Sequence, residues 1–179
     1  MIEFLLAASA VPDIIVTASR LPAPAEETAA SVTEIDAKRI ERLGEPLVPD
    51  LLRLAPSVAV SPNGPSGSFT QVRIRGAEAN QTLLFVDGIK ANDLSFGDEP
   101  RFELLNADLA SRIEVVRGPQ SALWGSQAIG GVVAVDGSAG ETSYVRALAE
   151  GGSFDTARAS AAGAVAAETV HLAGAVGWQ

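Results

Sequence analysis

A compact α+β domain followed by about three antiparallel strands is the fold class this sequence predicts, on three observations. The stretch R-I-E-V-V-R-G-P-Q-S-A-L-W-G-S-Q-A-I-G-G-V-V-A-V, residues 112–135, places two β-branched runs around a turn studded with Gly and Pro. Upstream, short helical and short extended segments alternate within a few residues of each other, which is the pattern of a mixed domain rather than of a bundle or a sandwich. After Gly140 the character changes to dyad alternation in segments of about ten residues, the pattern of transmembrane β-barrel strands.

Taken in order, residues 1–10 (M-I-E-F-L-L-A-A-S-A) resemble the tail of a secretory signal peptide, with Ala8-Ser9-Ala10 fitting the A-x-A cleavage pattern. Upstream of the apolar stretch no Lys or Arg occurs and Glu3 is the only charge, so the segment reads as a signal peptide lacking its start. Residues 21–28 (L-P-A-P-A-E-E-T) form an extended Pro/Ala/Glu linker. Ser31 to Ile35 alternates as a strand. Asp36 is then placed to cap a helix over 37–43, which Gly44 stops. A second helix is expected over 50–55, ended by Pro56. Asp87-Gly88, between T-L-L-F-V and I-K-A-N, signals a tight hairpin. Phe102, Leu104, Leu105 and Leu109 suggest one more short helix or turn on the sheet, and Ile113, Val115 and Val132 to Val135 are core strand. Gly130-Gly131 frees the backbone for φ > 0 just before a buried strand. The α+β domain is expected to end near Gly137. Three strands follow, over 142–150, 154–165 and 169–178, and in the last of these Val170, Leu172, Val176 and Trp178 share one face.

Composition excludes several classes. The chain has 179 residues, a formal charge of −9 and only 13 Lys+Arg, so it offers no basic stripe for nucleic acid. Cysteine is absent, which removes disulfides and thiolate metal sites. No apolar run approaches the roughly 18 residues of a membrane helix, so any membrane insertion is by strands. Enzymatic readings are weak: no G-x-S-x-G elbow is present, the lone His171 has no evident triad partners, and Gly64-Pro65-Ser66-Gly67 lacks the GK[ST] ending of a phosphate loop. No catalytic residue, cofactor or metal site is expected.

The R-G-P, S-A-L-W-G and G-G-V elements occur in fixed order, with I-R-G at 74–76 upstream. On them the chain resembles the plug domain of TonB-dependent outer-membrane receptors, most closely the cobalamin (vitamin B12) branch. That resemblance implies four segments: 1–10 residual signal peptide, 11–28 TonB box and linker, 29–140 plug, and 141–179 the first strands of a barrel. It further implies an outer-membrane location in a Gram-negative bacterium, with the plug gating active uptake of a scarce ligand. Barrels of this kind close with roughly 22 strands, so about three alone cannot close a barrel or translocate cargo.

By the same resemblance Asp13, Ile14, Ile15, Val16, Thr17 and Ala18 are the TonB box. This strand would be captured by TonB, with its ExbB/ExbD energising complex, through β-augmentation. Asn63, Ser66, Ser68, Phe69 and Gln71 lie on the apical loop implied to touch ligand, with Asn92, Leu94 and Ser95 on a second loop. Their amides and hydroxyls suit the peripheral amides of a corrinoid, although any polar surface loop has such a composition. Arg75 and Arg117 each end an apolar strand before Gly and call for a carboxylate. The resemblance supplies glutamates of the barrel wall, while Glu78, Glu103 or Glu114 are internal alternatives. A siderophore or glycan cargo, and a soluble plug-like periplasmic binding module, remain as rival readings.

Overall fold

The computed structural model describes residues 14–15, 23–24, 29–137, 143–153, 155–167 and 170–178. Two short strands come first, β1 (Ile14–Ile15) and β2 (Ala23–Pro24), paired antiparallel with each other. Then follow β3 (Ser31–Asp36), α1 (Ala37–Leu43), α2 (Val48–Leu52), β4 (Val58–Pro62), β5 (Thr70–Ile74), β6 (Thr82–Val86) and β7 (Ile89–Lys90). After β8 (Asn92–Asp93) and β9 (Glu99–Pro100) come 3-10 turns at Phe102–Leu104 and Ala107–Leu109, then β10 (Arg112–Arg117), α3 (Ser121–Trp124) and β11 (Gly131–Asp136). The chain ends in β12 (Tyr144–Gly151), β13 (Ala157–Ala167) and β14 (Val170–Trp178). The α+β class with a terminal antiparallel sheet is therefore observed. The signal-peptide segment 1–10, all of the 21–28 linker but Ala23 and Pro24, and Thr142, Phe154 and Thr169 at the expected starts of the three strands lie outside the described residues.

The central sheet has the order β3-β10-β11-β6-β7 and is mixed, because β11 runs parallel to β6 while the other pairs are antiparallel. Both faces of β10 and β11 are covered, which explains the near-continuous apolar runs in these strands. One face carries Ile35, Ile113, Val115, Val133, Val135 and Leu84 against Leu51, Leu52, Val72, Ile74 and Phe102. The other carries Val116, Val132 and Leu83, closed by Phe85 and Trp124 with ring centroids 4.7 Å apart. Further along that second face, Glu114 is fully buried and faces Glu34 across the β3–β10 register. Arg112 lies 3.1 Å from Glu114 and 3.0 Å from Asp136, so the buried carboxylate is paired, as burial requires.

Local chemistry sets the joints. Asp36 accepts from the Arg39 amide at 2.7 Å and starts α1, and the Gly44 amide donates to Ile40 O at 3.1 Å to close it. α2 begins at Val48, two residues before its expected start, since Pro49 sits in the first turn, where its missing N–H costs nothing; it ends at Leu52, short of Ala55. Asp87 and Gly88 have φ of 49° and 76°, the primed-turn geometry that joins β6 to β7. The Asp87 carboxylate also accepts from the Gly137 amide at 2.6 Å, fastening that hairpin to the end of β11. At Gly131 a Cβ would fall 2.3 Å from the Val116 carbonyl oxygen and 2.9 Å from Ile74 Cδ1, so only glycine lets β11 enter the sheet at this point.

The terminal sheet, in the order β12-β13-β14, docks by its small residues. Ala162 and Ala164 are buried, and Gly177 packs so closely on Asn106 that a Cβ would meet its side-chain nitrogen at 2.8 Å. Arg158 clamps the junction, donating to Gly44 O at 2.9 Å and to Glu150 at 2.6 Å, while Arg146 donates to Asp108 O. The opposite face presents Val145, Leu172, Val176 and Trp178 to the outside, with Val145 91% exposed.

Candidate functional site

Three parts of the molecule carry the residues singled out from sequence. At the amino end, Ile14 and Ile15 pair with Pro24 and Ala23 respectively, so part of the expected partner-binding strand is extended and already β-paired within the chain. Asp13, Val16, Thr17 and Ala18 lie outside the described residues.

The second part is the tip where two loops meet. β4 and β5 form a hairpin whose loop holds Asn63, Ser66, Ser68 and Phe69, closed by the Asn63 amide donating to Phe69 O at 3.0 Å. The loop between β8 and β9 holds Leu94, Ser95 and Phe96. Phe69 and Phe96 meet edge to face with centroids 5.1 Å apart, and Gln71 donates to Glu99 at 3.1 Å, so the structure brings these two candidate loops together. Asn63, Ser66, Leu94 and Ser95 are exposed, whereas Ser68, Phe69 and Gln71 are half-buried. Asn92 departs from the expectation of a ligand contact. It is buried, its Oδ1 accepts from the Leu84 amide at 2.9 Å, and its Nδ2 donates to Thr82 O at 3.1 Å and Asp98 O at 2.7 Å. Its amide thus ties β6 to the tip loop, with both of its polar atoms engaged inside the domain.

Sequence reasoning missed Arg101, which sits 5.5 Å from the centroids of both Phe69 and Phe96. It is held from behind by Glu103 at 2.5 Å and Asp93 at 3.7 Å. Glu103 is itself buried and accepts from the Thr70 amide at 3.2 Å, which anchors the whole cluster to β5. Asp93 accepts from both the hydroxyl and the amide of Ser95. The hydroxyl foremost, then the amide, holds its carboxyl below the usual 3.8, with Arg101 adding to the effect. No short-range pattern announces this cluster, since Phe69 and Thr70 join Phe96, Arg101 and Glu103 from some 30 residues away.

The third part is the arginine pair. Arg75 has φ of 53° and donates to the Ser31 hydroxyl at 3.2 Å. Arg117 donates to Ser31 O, Pro56 O and Val32 O at 3.3, 3.2 and 3.3 Å. Both guanidiniums therefore converge on the start of β3 and are satisfied by neutral oxygens. The internal carboxylates considered for them are engaged elsewhere: Glu103 with Arg101 and Glu114 with Arg112, while Glu78 caps the 3-10 turn at Ala79–Gln81.

The family model described as "TonB-dependent Receptor Plug Domain" matches residues 24–132, more than half of the chain. The chain belongs to this family of outer-membrane receptor plugs in Gram-negative bacteria, a family of receptors and not of enzymes. Among curated proteins, "Vitamin B12 transporter BtuB" of Vibrio vulnificus (strain CMCP6) is 35% identical over 160 residues, covering 85% of this chain and 26% of the relative. The chain thus spans about a quarter of that relative's length. Among solved structures, the pyoverdine receptor FpvA of Pseudomonas aeruginosa PAO1 matches with a TM-score of 0.71 at 22% identity, over 86% of this chain and 22% of that one. The alcaligin receptor FauA of Bordetella pertussis matches at 0.70 and 21%, over 92% and 29%. The ferric yersiniabactin receptor FyuA of Yersinia pestis matches at 0.60 and 25%, over 83% and 23%.

Proposed function

We propose that this chain supplies the gate and the coupling strand of a TonB-dependent active transporter of the outer membrane. The observation that carries this reading is the tip: two loops far apart in sequence present one exposed aromatic and polar surface, joined through Phe69–Phe96 and Gln71–Glu99. Cargo would rest on Asn63, Ser66, Ser68, Phe69, Gln71, Leu94 and Ser95. Residues 13–18 would leave the domain to pair with TonB, drawing on ExbB/ExbD, and Arg75 and Arg117 would meet carboxylates of the barrel wall. A ferric siderophore is the cargo class we favour, because the similar solved structures named above are receptors for such compounds. Cobalamin is the second reading, supported by the 35% identity to a vitamin B12 transporter.

The coupling half is tested directly by titrating purified chain with the soluble periplasmic domain of TonB. Binding is expected, and Ile15→Pro, which removes a ladder donor, should weaken it at least tenfold while the circular dichroism of the domain stays unchanged. Absence of binding by the unaltered chain, or no effect of Ile15→Pro, counts against the assignment.

A further inference from the structure

We propose that the tip selects cargo by charge, accepting a neutral or cationic compound with an apolar face and turning away polyanionic ferric chelates. This rests on the reading of the tip as the ligand surface. The apolar platform is explicit: Leu94 is 79% exposed and Phe96 51%, and Phe69 lies against Phe96 at 5.1 Å. A platform of this kind beside an arginine ordinarily invites an anion, so the state of Arg101 decides the matter. Its guanidinium is already taken. Glu103 holds Nε at 2.5 Å and Asp93 lies 3.7 Å from Nη1, while Glu103 cannot turn away because it is buried and bound to the Thr70 amide. Arg101 therefore works as a strut that props both rings through its charged face, and its positive charge is more than matched. Asp98 in the same loop and Glu99 at the start of β9 add two further carboxylates, and a second guanidinium, that of Arg73, reaches Gln71 at 3.0 Å. Counting the buried Glu103 beneath the rings, four carboxylates stand against two guanidiniums, so the tip as a whole carries net negative charge. A negative tip lowers the local concentration of an approaching polyanion and raises that of a cation, an effect that fades with salt.

The test uses the full chain Met1 to Gln179 in detergent, with three probes: ferrioxamine B (a cationic ferric trihydroxamate), cyanocobalamin (neutral) and ferric enterobactin (trianionic). Calorimetric titration at about 20 mM salt should show ferrioxamine B or cyanocobalamin binding at least tenfold tighter than ferric enterobactin, with the gap narrowing at about 500 mM. Whichever of the two binds tells an iron chelate from a corrinoid, and either supports the inference. The double variant Asp93→Asn/Glu99→Gln keeps the Ser95 and Gln71 hydrogen-bond geometry and should raise ferric enterobactin affinity at least fivefold while weakening that of the cationic ferrioxamine B, with the neutral cyanocobalamin moving least. Phe96→Ala should weaken the preferred probe about tenfold. Ferric enterobactin binding as tightly as the other two at low salt overturns the charge selection while leaving the transporter reading intact. Binding of none of the probes overturns both the selection and the tip as ligand surface.

Discussion

Asn92 shows how one side chain can look functional and be structural. Its amide joins Leu84 and Thr82 of β6 to Asp98 of the tip loop through three hydrogen bonds, so truncation strands the Leu84 amide and two carbonyls. Asn92→Ala should cost at least about 3 kcal/mol in urea unfolding, at roughly 1–3 kcal/mol for each of the three groups left unpaired, while exposed Ser66→Ala should stay within about 0.5 kcal/mol. In sequence the two residues read alike, because composition shows that a loop is polar but not which way an amide points. Gly131 is the opposite case, legible because a Gly-Gly before a β-branched run has few other uses. Asp93 carries a pH consequence. Its carboxyl is depressed in the folded chain, so the stabilisation it gives is complete above the unfolded value of about 3.9 and is lost as pH falls through the lower folded value. The Ser95 amide resonance should therefore hold its position from pH 7 down to about 4 and shift only below. A shift centred near pH 6 would contradict this.

At the level of elements, legibility followed length. β10 and β11 have six residues each and bury both faces, which writes a run of β-branched residues into the sequence. α1 was readable from its ends, Asp36 and Gly44, and Asp36→Ala should cost about 1 kcal/mol by freeing the Arg39 amide. Thermal unfolding of that variant beside Asp36→Asn, which keeps the acceptor, separates the cap from charge. The pairs β8–β9 and β1–β2 could not be foreseen, because two residues cannot display a period. Yet β8–β9 shapes the tip: Asn92 pairs with Pro100 and Asp93 with Glu99, bringing Arg101 under the rings. The arginine pair was half legible. Strand-end arginines before Gly were visible at 75 and 117, but their convergence on Ser31 depends on β3 lying beside β10, a pairing separated by some 80 residues.

For the whole molecule, the decisive feature is that the terminal sheet has one face committed and one uncommitted. Small residues and Arg158 fix the inner face on the α+β domain, which leaves Val145, Leu172, Val176 and Trp178 as a contiguous apolar outer face. Such a face on a water-soluble protein is a site of association, whereas on a barrel wall it meets lipid. Edge strands sharpen the contrast, since among the described residues β12 and β14 each pair only with β13, leaving a row of backbone donors and acceptors at each edge of the sheet. The chain should therefore be monodisperse in detergent and self-associate on its removal, as read by light scattering during sedimentation. Replacing the outer face by Val145→Thr, Leu172→Thr, Val176→Lys and Trp178→Lys, which spares Arg158 and the alanines beneath, should keep it monomeric in plain buffer with the same circular dichroism. If the unaltered chain is monomeric without detergent, the outer face is not a lipid surface, and a soluble plug-like binding module becomes the better account of the molecule.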